Sequence, residues 1–309
     1  MRNPIGRRLR ERSYSLRRGL ERIWTRLARI PAVQLVVRTG SELGADDASH
    51  MAAGIAYYGF LSLFPLILGL IAIFGLFLPS ETVQQEVLGF FEQNLPGAID
   101  VLERNIENII RYRGAIGGVS LVLLFWTASA MFGAISRAIN RAWDARDDRP
   151  FVVRKARDLA MALGTGVLFL VSLGATSLFS ILRTTDLPQA GFAADVSARV
   201  FAFLLSATIF LILYKLVPTT RTYWRYVWPG ALLAAVLFEL AKTLFVVYLD
   251  RIADYESVYG SVSSVIILLL WIFISAFIVI LGAEFSAEFG RMRQGVKRGV
   301  PIATPNPPP

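Results

Sequence analysis

The chain has 309 residues, a formal net charge of +9, 55% hydrophobic residues and only 18% charged residues. Ordinary soluble domains have about 25% charged residues, so this composition, with a mean hydropathy of +0.53, predicts a membrane protein rather than a soluble one. The absence of cysteine and the single histidine, His50, argue against a histidine-cluster metal site or a hydrolytic triad. We therefore expect no catalytic residues, no metal and no cofactor.

Six apolar runs follow one another along the chain. A helix needs about 20 mainly apolar residues to cross about 30 Å of hydrocarbon, and none of the runs alternates with the period of two that a β-strand shows. The sequence therefore predicts an all-α protein with six transmembrane helices. The predicted spans are 51–78, 115–139, 159–182, 200–217, 227–249 and 262–283.

Lysine and arginine concentrate in the segment before the first span, in the second and fourth connections, and in the tail. Short loops rich in these residues stay in the cytoplasm, so both termini are predicted to be cytoplasmic, in a multi-pass protein of a bacterial inner membrane. The net positive charge then reflects membrane topology, and nucleic acid is not expected as a partner. The predicted division is a basic segment 1–45, a transmembrane domain 46–290, and a basic, then Pro-rich, tail 291–309.

Amphipathic patterns flank the first span on both sides. Before it, apolar residues recur at helical spacing opposite arginines, which predicts a helix lying on anionic lipid headgroups or, alternatively, a helix docked on cytoplasmic loops. After it, the outer connection 79–113 repeats the pattern and predicts one or two short helices. The apolar positions are Leu16, Leu20, Ile23, Trp24, Leu27 and Ile30 before the span, and Ile99, Leu102, Ile106, Ile109 and Ile110 after it.

The first span contains Tyr57, Tyr58 and Pro65. The two tyrosines are candidates for a substrate or proton pathway, because polar groups inside a membrane are costly and often functional. Pro65 is predicted to kink the helix and to free a backbone carbonyl, which could face a partner or a cavity. The structural interpretation is a kinked helix that packs through its small residues, Ala52, Ala53, Gly54, Ala56 and Gly59. Four further candidates are placed at the cytoplasmic lip: Asp46, Asp47, His50 and Glu284.

The second span combines polar and small residues. Thr127, Ser129 and Asn140 indicate close helix packing with hydrogen bonds between helices. Arg137, Arg141 and Trp143 at its end are predicted to anchor the helix at the cytoplasmic interface.

The fifth span carries Glu239 and Lys242 near the predicted membrane midplane. The two residues are three positions apart on one helix face, in the order that favours an ion pair. One interpretation is a pathway for protons or anions, in which Glu239 is protonated or Lys242 exchanges its partner. The other is a sealed pair that fixes the helix register. The sequence alone leaves both open.

Four segments carry a family resemblance: ASHMAAGIAYYGFLSLFPLIL, LFWTASAMFGAISRAINRAWD, LYKLVPTTRTYWRYVWPGALLAAVLFELAK and YGSVSSVIILLLWIFISAFIVILGAEFSAEF. Between about Asp46 and Phe289 the chain resembles the YihY or virulence factor BrkB family of bacterial inner-membrane proteins. The resemblance implies a six-helix membrane bundle and supplies no catalytic residues. Some members carry the name ribonuclease BN, which the single histidine of this chain does not support.

Two functions remain open at this level. A transporter or lipid translocase, with the Glu239 and Lys242 pair in its pathway, is favoured by the polar residues inside the spans. The alternative is a non-transporting scaffold or envelope-assembly protein, in which the same residues only pack helices. Membrane lipids are the expected partners, and a homo-oligomer is compatible with the sequence.

Overall fold

The computed structural model describes residues 30–74, 113–147, 149–164, 188–251 and 262–296. These residues form seven α-helices and no strand, which confirms the all-α class. The helices are α1 (Pro31–Ala45), α2 (Ala48–Phe74), α3 (Arg113–Ala142), α4 (151–164), α5 (Pro188–Leu216), α6 (Trp224–Arg251) and α7 (Ser263–Gln294).

A helix occupies the described part of each of the six predicted spans. Among the described residues, two helical segments are long and apolar enough to cross a membrane: Trp224–Leu249 and Ser263–Gln294, which contain 18-residue stretches with mean hydropathies of 2.1 and 3.1. The number of spans and the side of each terminus stay predictions. The amphipathic segment before Ile30 and nearly all of the connection 79–113 lie outside the described residues.

The structure adds a helix that the sequence analysis did not predict. Pro31 occupies the first turn of α1, where its missing N–H costs nothing. The helix packs against α7 and buries Leu35 and Thr39. It ends at Ala45, Asp46 is its C-cap residue, and Asp47 follows in the left-handed region with φ 53°, so the chain turns sharply into α2.

Small residues set the distance between α6 and α7. A Cβ atom added to Gly230 would collide with Ser286 and with the backbone carbonyl of Gly282, and one added to Gly282 would lie 2.8 Å from the Cβ of Ala234. These glycines therefore let the two backbones touch, as small residues do at membrane helix crossings. The Tyr214 hydroxyl of α5 donates a hydrogen bond to the carbonyl of Val279 at 2.8 Å.

Helix α2 packs through one face. Ala52 and Ala56 are buried, and a Cβ on Gly59 would lie 3.0 Å from Ile272 of α7. Ala53 is exposed, and a Cβ on Gly54 would contact nothing within 4 Å. Helix α2 continues past Pro65 to Phe74.

Hydrogen bonds and ion pairs join the connections α1–α2, α3–α4 and α5–α6 and the last turn of α7 at one end of the bundle, which we call the basic end. Thr219, in the α5–α6 connection, donates its backbone N–H to the Asn140 side-chain oxygen at 2.7 Å, so this bond of Asn140 joins α3 to a connection rather than to another helix. Trp143 is buried, so its prediction as an interface anchor was wrong: the chain turns inward after α3 and carries the indole into the core. Residues 291–294, predicted as the start of the tail, form the last turn of α7.

Candidate functional site

A charged cavity of about 940 Å³ opens at the basic end, between α3, α4 and the connection that joins them. Five cationic and four anionic side chains line it, so cations are in excess. The cations are Arg137, Arg141, Arg146, Arg154 and Lys155, and the anions are Asp46, Asp144, Asp147 and Asp158.

Helical spacing explains why α3 presents a single polar stripe to this charged cavity. Ser129, Gly133, Arg137 and Arg141 follow one another at intervals of four residues and all line the cavity. Residues four apart lie one above the other on a helix face. Helix α4 contributes a second stripe at intervals of three and four residues: Phe151, Arg154, Lys155 and Asp158.

Lys155 links the two stripes at the inner part of the cavity. Its ammonium donates a hydrogen bond to the Ser129 hydroxyl at 3.0 Å and lies 5.4 Å from the centre of the Trp126 ring. The Trp126 ring itself is exposed. The Lys155 cation is thus held beside Trp126, a residue of the predicted second span.

Gly133 allows α4 to approach α3 closely. A Cβ at this position would lie 2.9 Å from a carboxylate oxygen of Asp158, and Asp158 is buried. Burial raises the pKa of the Asp158 carboxyl, and the nearby Lys155 and Arg137 oppose that shift. Asp158 precedes the predicted third span, so it contributes a buried charge at the rim of the membrane region.

A buried ion cluster forms the wall between the charged cavity and α7. The Nε atom of Arg141 lies 3.3 Å from Oδ1 of Asp46. Arg291, which is buried, pairs with Glu288 at 2.5 Å and with Asp144 at 2.7 Å, and it also donates to the carbonyl of Ala142 at 2.8 Å. These bonds tie the end of α3 to α7 on one side and to the α1–α2 turn on the other.

The predicted pair of Glu239 and Lys242 is an ion pair in the structure, with 2.8 Å between Nζ and Oε1. Ser206 of α5 donates a weak hydrogen bond to the same Glu239 oxygen at 3.4 Å, and Lys242 lies over the Phe238 ring. Each charged side chain is 33% exposed. The pair lies along the α5–α6 contact and is not part of the lining of the charged cavity.

The structure therefore brings only some of the predicted candidates together. Asp46 and Tyr58 line the charged cavity, whereas Tyr57 points away and is 58% exposed. Asp47 and His50 are exposed at the α1–α2 turn. Glu284 is buried beside Asp46 rather than at an open lip.

Sequence reasoning missed Gly133, Lys155 and Asp158 and treated Arg137 as an anchor. The available signal was the stripe of Ser129, Gly133 and Arg137 that crosses the end of an apolar run. Basic residues near a span end are expected from topology alone, so the stripe did not stand out.

Comparison with known proteins assigns the chain to a family. The profile of the family described as Virulence factor BrkB matches residues 39–305. The chain belongs to this family. The BrkB match is longer than the resemblance between Asp46 and Phe289, because it includes the second half of α1 and most of the Pro-rich tail. No solved structure matches the chain.

Relatives with curated names support the BrkB assignment. A UPF0761 membrane protein of Pseudoalteromonas translucida is 33% identical over 246 residues, covering 78% of this chain and 81% of the relative. A UPF0761 membrane protein of Vibrio vulnificus is 30% identical over 252 residues, 81% and 80% of the two chains. YfkH of Bacillus subtilis, named as ribonuclease-like, is 28% identical over 250 residues, 78% and 90%. Together with the apolar α6 and α7, these names establish a membrane protein.

The ribonuclease-like name has no counterpart in the geometry of the site. Among the described residues, no group of three or more His, Cys, Asp and Glu side chains is arranged to hold a metal ion. The carboxylates of the basic end are instead interleaved with arginines, an arrangement suited to anions.

Proposed function

We propose that this BrkB family member is a transporter of the bacterial inner membrane that moves an anionic amphiphile, such as a phospholipid, between the two leaflets. The observation that supports the proposal is the charged cavity, which is large, has more cations than anions, and extends to Ser129 and Tyr58 within the predicted spans. We infer no enzymatic activity, ribonuclease activity included.

The cations of the charged cavity suit a phosphate headgroup. Arginine and lysine bind phosphate oxygens through charge-assisted hydrogen bonds, each of which contributes about 1.5–3 kcal/mol. Arg154 and Lys155 follow the exposed residues Phe151, Val152 and Val153, which suits a helix start at the level of lipid headgroups. A headgroup would enter the cavity there while its acyl chains stay in lipid.

An apolar groove on α4 supports an amphiphilic substrate. A second cavity of about 430 Å³ lies between α4 and α5, lined mainly by apolar side chains such as Met161, Ile209 and Leu213, with Arg157 at its rim. Helix α4 therefore has a charged surface toward α3 and an apolar surface toward α5. A lipid with a charged head and an apolar tail presents the same two surfaces.

We also propose that the ion pair of Glu239 and Lys242 rearranges during transport. Their ion pair is partly exposed and has one further polar partner, Ser206, so its rearrangement would break few contacts. A proton or the substrate headgroup would act by separating the two charges.

The alternative, a non-transporting scaffold, is favoured by a different observation. The charges of the basic end are largely paired within the chain, as Arg141 with Asp46 and Arg291 with Glu288 and Asp144 show. Paired charges of this kind can fix helix register without any ligand. For a scaffold, neutralising both Glu239 and Lys242 together would restore the folding that single changes damage.

The experiment is lipid translocation in proteoliposomes. The full chain is reconstituted with a fluorescent phosphatidylglycerol or a fluorescent phosphatidylcholine, and dithionite quenching follows transfer between leaflets. We expect faster transfer of the anionic lipid than in protein-free vesicles. Arg137→Gln and Lys155→Gln should each slow it about tenfold, because each removes one charge-assisted contact and 1.4 kcal/mol corresponds to a factor of ten.

Arg221→Gln is the matched control. Arg221 is an exposed arginine of the α5–α6 connection that does not line the charged cavity, so its loss should leave the rate unchanged. Equal rates for the protein and for empty vesicles would contradict the transport proposal. Equal slowing by Arg221→Gln would show that surface charge, not the cavity, matters.

A further inference from the structure

Among the described residues, Glu284 is the most deeply buried carboxylate that accepts no hydrogen bond. Its side chain is 1% exposed, and neither of its oxygens accepts a hydrogen bond from any described part of the chain. It lies beside Asp46, which is 4% exposed and already paired with Arg141. Two buried carboxyl groups thus face each other at the junction of α7 with the α1–α2 turn.

The cations near Glu284 form ion pairs with other carboxylates. The charged groups that face Glu284 are Asp46, Glu288 and Arg291. Arg291 bonds Glu288, Asp144 and the Ala142 carbonyl through its terminal nitrogens. Its buried Nε has no hydrogen-bond partner and so does not bond Glu284, and Arg141 lies against Asp46. If every carboxyl of this cluster were ionised, four negative charges would face two positive ones, and Glu284 would hold a buried charge with no donor.

One bound proton reduces this imbalance, because it neutralises one of the four carboxylates. When two carboxyl groups share a buried site, repulsion between the like charges favours retention of one proton by the pair. The protonated oxygen then becomes a donor to the neighbouring carboxylate. One bound proton would thus give one of the two unpartnered Glu284 oxygens a hydrogen bond with Asp46 and would lower the excess of negative charge.

We propose that Asp46 and Glu284 form a proton-binding site that opens onto the charged cavity through Asp46. Asp46 lines the cavity and Glu284 lies behind it, so a proton reaches Glu284 from the cavity. Loss of the proton would place two negative charges between the α1–α2 turn and α7, which weakens the contact between those elements. The site would therefore couple protonation to the position of α7.

The site stands independently of lipid transport, because its test detects the proton itself. The full chain is purified in a maltoside detergent, which has no ester carbonyl, and its infrared spectrum is recorded at neutral pH in H₂O and in D₂O. A protonated carboxyl absorbs apart from ionised carboxylates, and its band shifts in D₂O. We expect such a band in the native chain and its loss in Glu284→Gln.

Two further variants keep the assignment specific. Glu239→Gln is the matched control, because Glu239 is ion-paired with Lys242 and its loss should leave the band intact. Glu284→Asp retains a carboxyl and should retain the band at a shifted frequency, which preserves the test if the glutamine variant does not fold.

Three results would overturn the proposal. The first is an identical spectrum for the native chain and a folded Glu284→Gln variant. The second is loss of the band in Glu239→Gln. The third is disappearance of the band when sodium is added at constant pH, because the two carboxyls would then bind a metal cation rather than a proton.

Discussion

At the scale of single residues, the basic end depends on one buried arginine that pairs with two carboxylates. Arg291 is the centre of this arrangement, since it pairs with Glu288 of its own helix and joins α7 to the end of α3 through Asp144 and the Ala142 carbonyl. The sequence shows Arg291 only as one basic residue of a cytoplasmic tail. Its burial could not be predicted because the groups that it bonds outside α7, Asp144 and the Ala142 carbonyl, lie 147 and 149 positions earlier in the chain.

Removal of this charge should be costly. Arg291→Met leaves Glu288 and Asp144 without their cation, and an uncompensated buried charge costs about 3–5 kcal/mol. We expect a large loss of thermal stability in detergent, measured by intrinsic fluorescence. Arg293→Met is the control: Arg293 lies on the same helix but is exposed over the Phe289 ring, so its change should stay within about 0.5 kcal/mol. Similar losses for the two variants would contradict the account.

At the scale of helices, the apolar runs predicted the elements well and their ends less well. Hydrophobicity is a local property, so each run locates its helix. The ends of the helices depend on contacts with other elements. Helix α5 begins at Pro188, before the apolar run 200–217. Helix α7 extends to Gln294, past the ion pair of Glu288 and Arg291 at the basic end. Helix α1 was not predicted because its 15 residues are fewer than a membrane span needs, and it packs against α7, which is distant in the chain.

The α6–α7 crossing gives a prediction at this scale. Gly230→Ala places a methyl group against Ser286 and the carbonyl of Gly282, so the helices must separate, at a cost of about 1–3 kcal/mol for overpacking. Denaturant unfolding followed by tryptophan fluorescence measures the loss. Gly54→Ala, in the middle of α2 with no atom within 4 Å of the new Cβ, should be neutral or slightly stabilising. A neutral Gly230→Ala would show that the close contact is not required.

At the scale of the whole molecule, the candidate site arises from the assembly of helices rather than from any one of them. The sequence identified the intramembrane pair of Glu239 and Lys242 because a charge inside an apolar run is visible locally. The charged cavity is not visible in this way, since its stripes on α3 and α4 become a site only when Gly133 lets Asp158 approach. Asp46 and Tyr58 were identified singly, without the arginines that surround them.

The central claim is that a water-filled charged cavity reaches from the cytoplasm into the membrane region, and single-cysteine labelling tests it most directly. The chain has no native cysteine, so Ala130→Cys, in the cavity lining, and Leu240→Cys, on the exposed apolar surface of α6, each carry one thiol. A charged maleimide is added to vesicles of known orientation. The account predicts rapid labelling of Ala130→Cys from the cytoplasmic side, slowed by anionic phospholipid, and protection of Leu240→Cys by lipid. Protection of Ala130→Cys from both sides, in a folded protein, would contradict it.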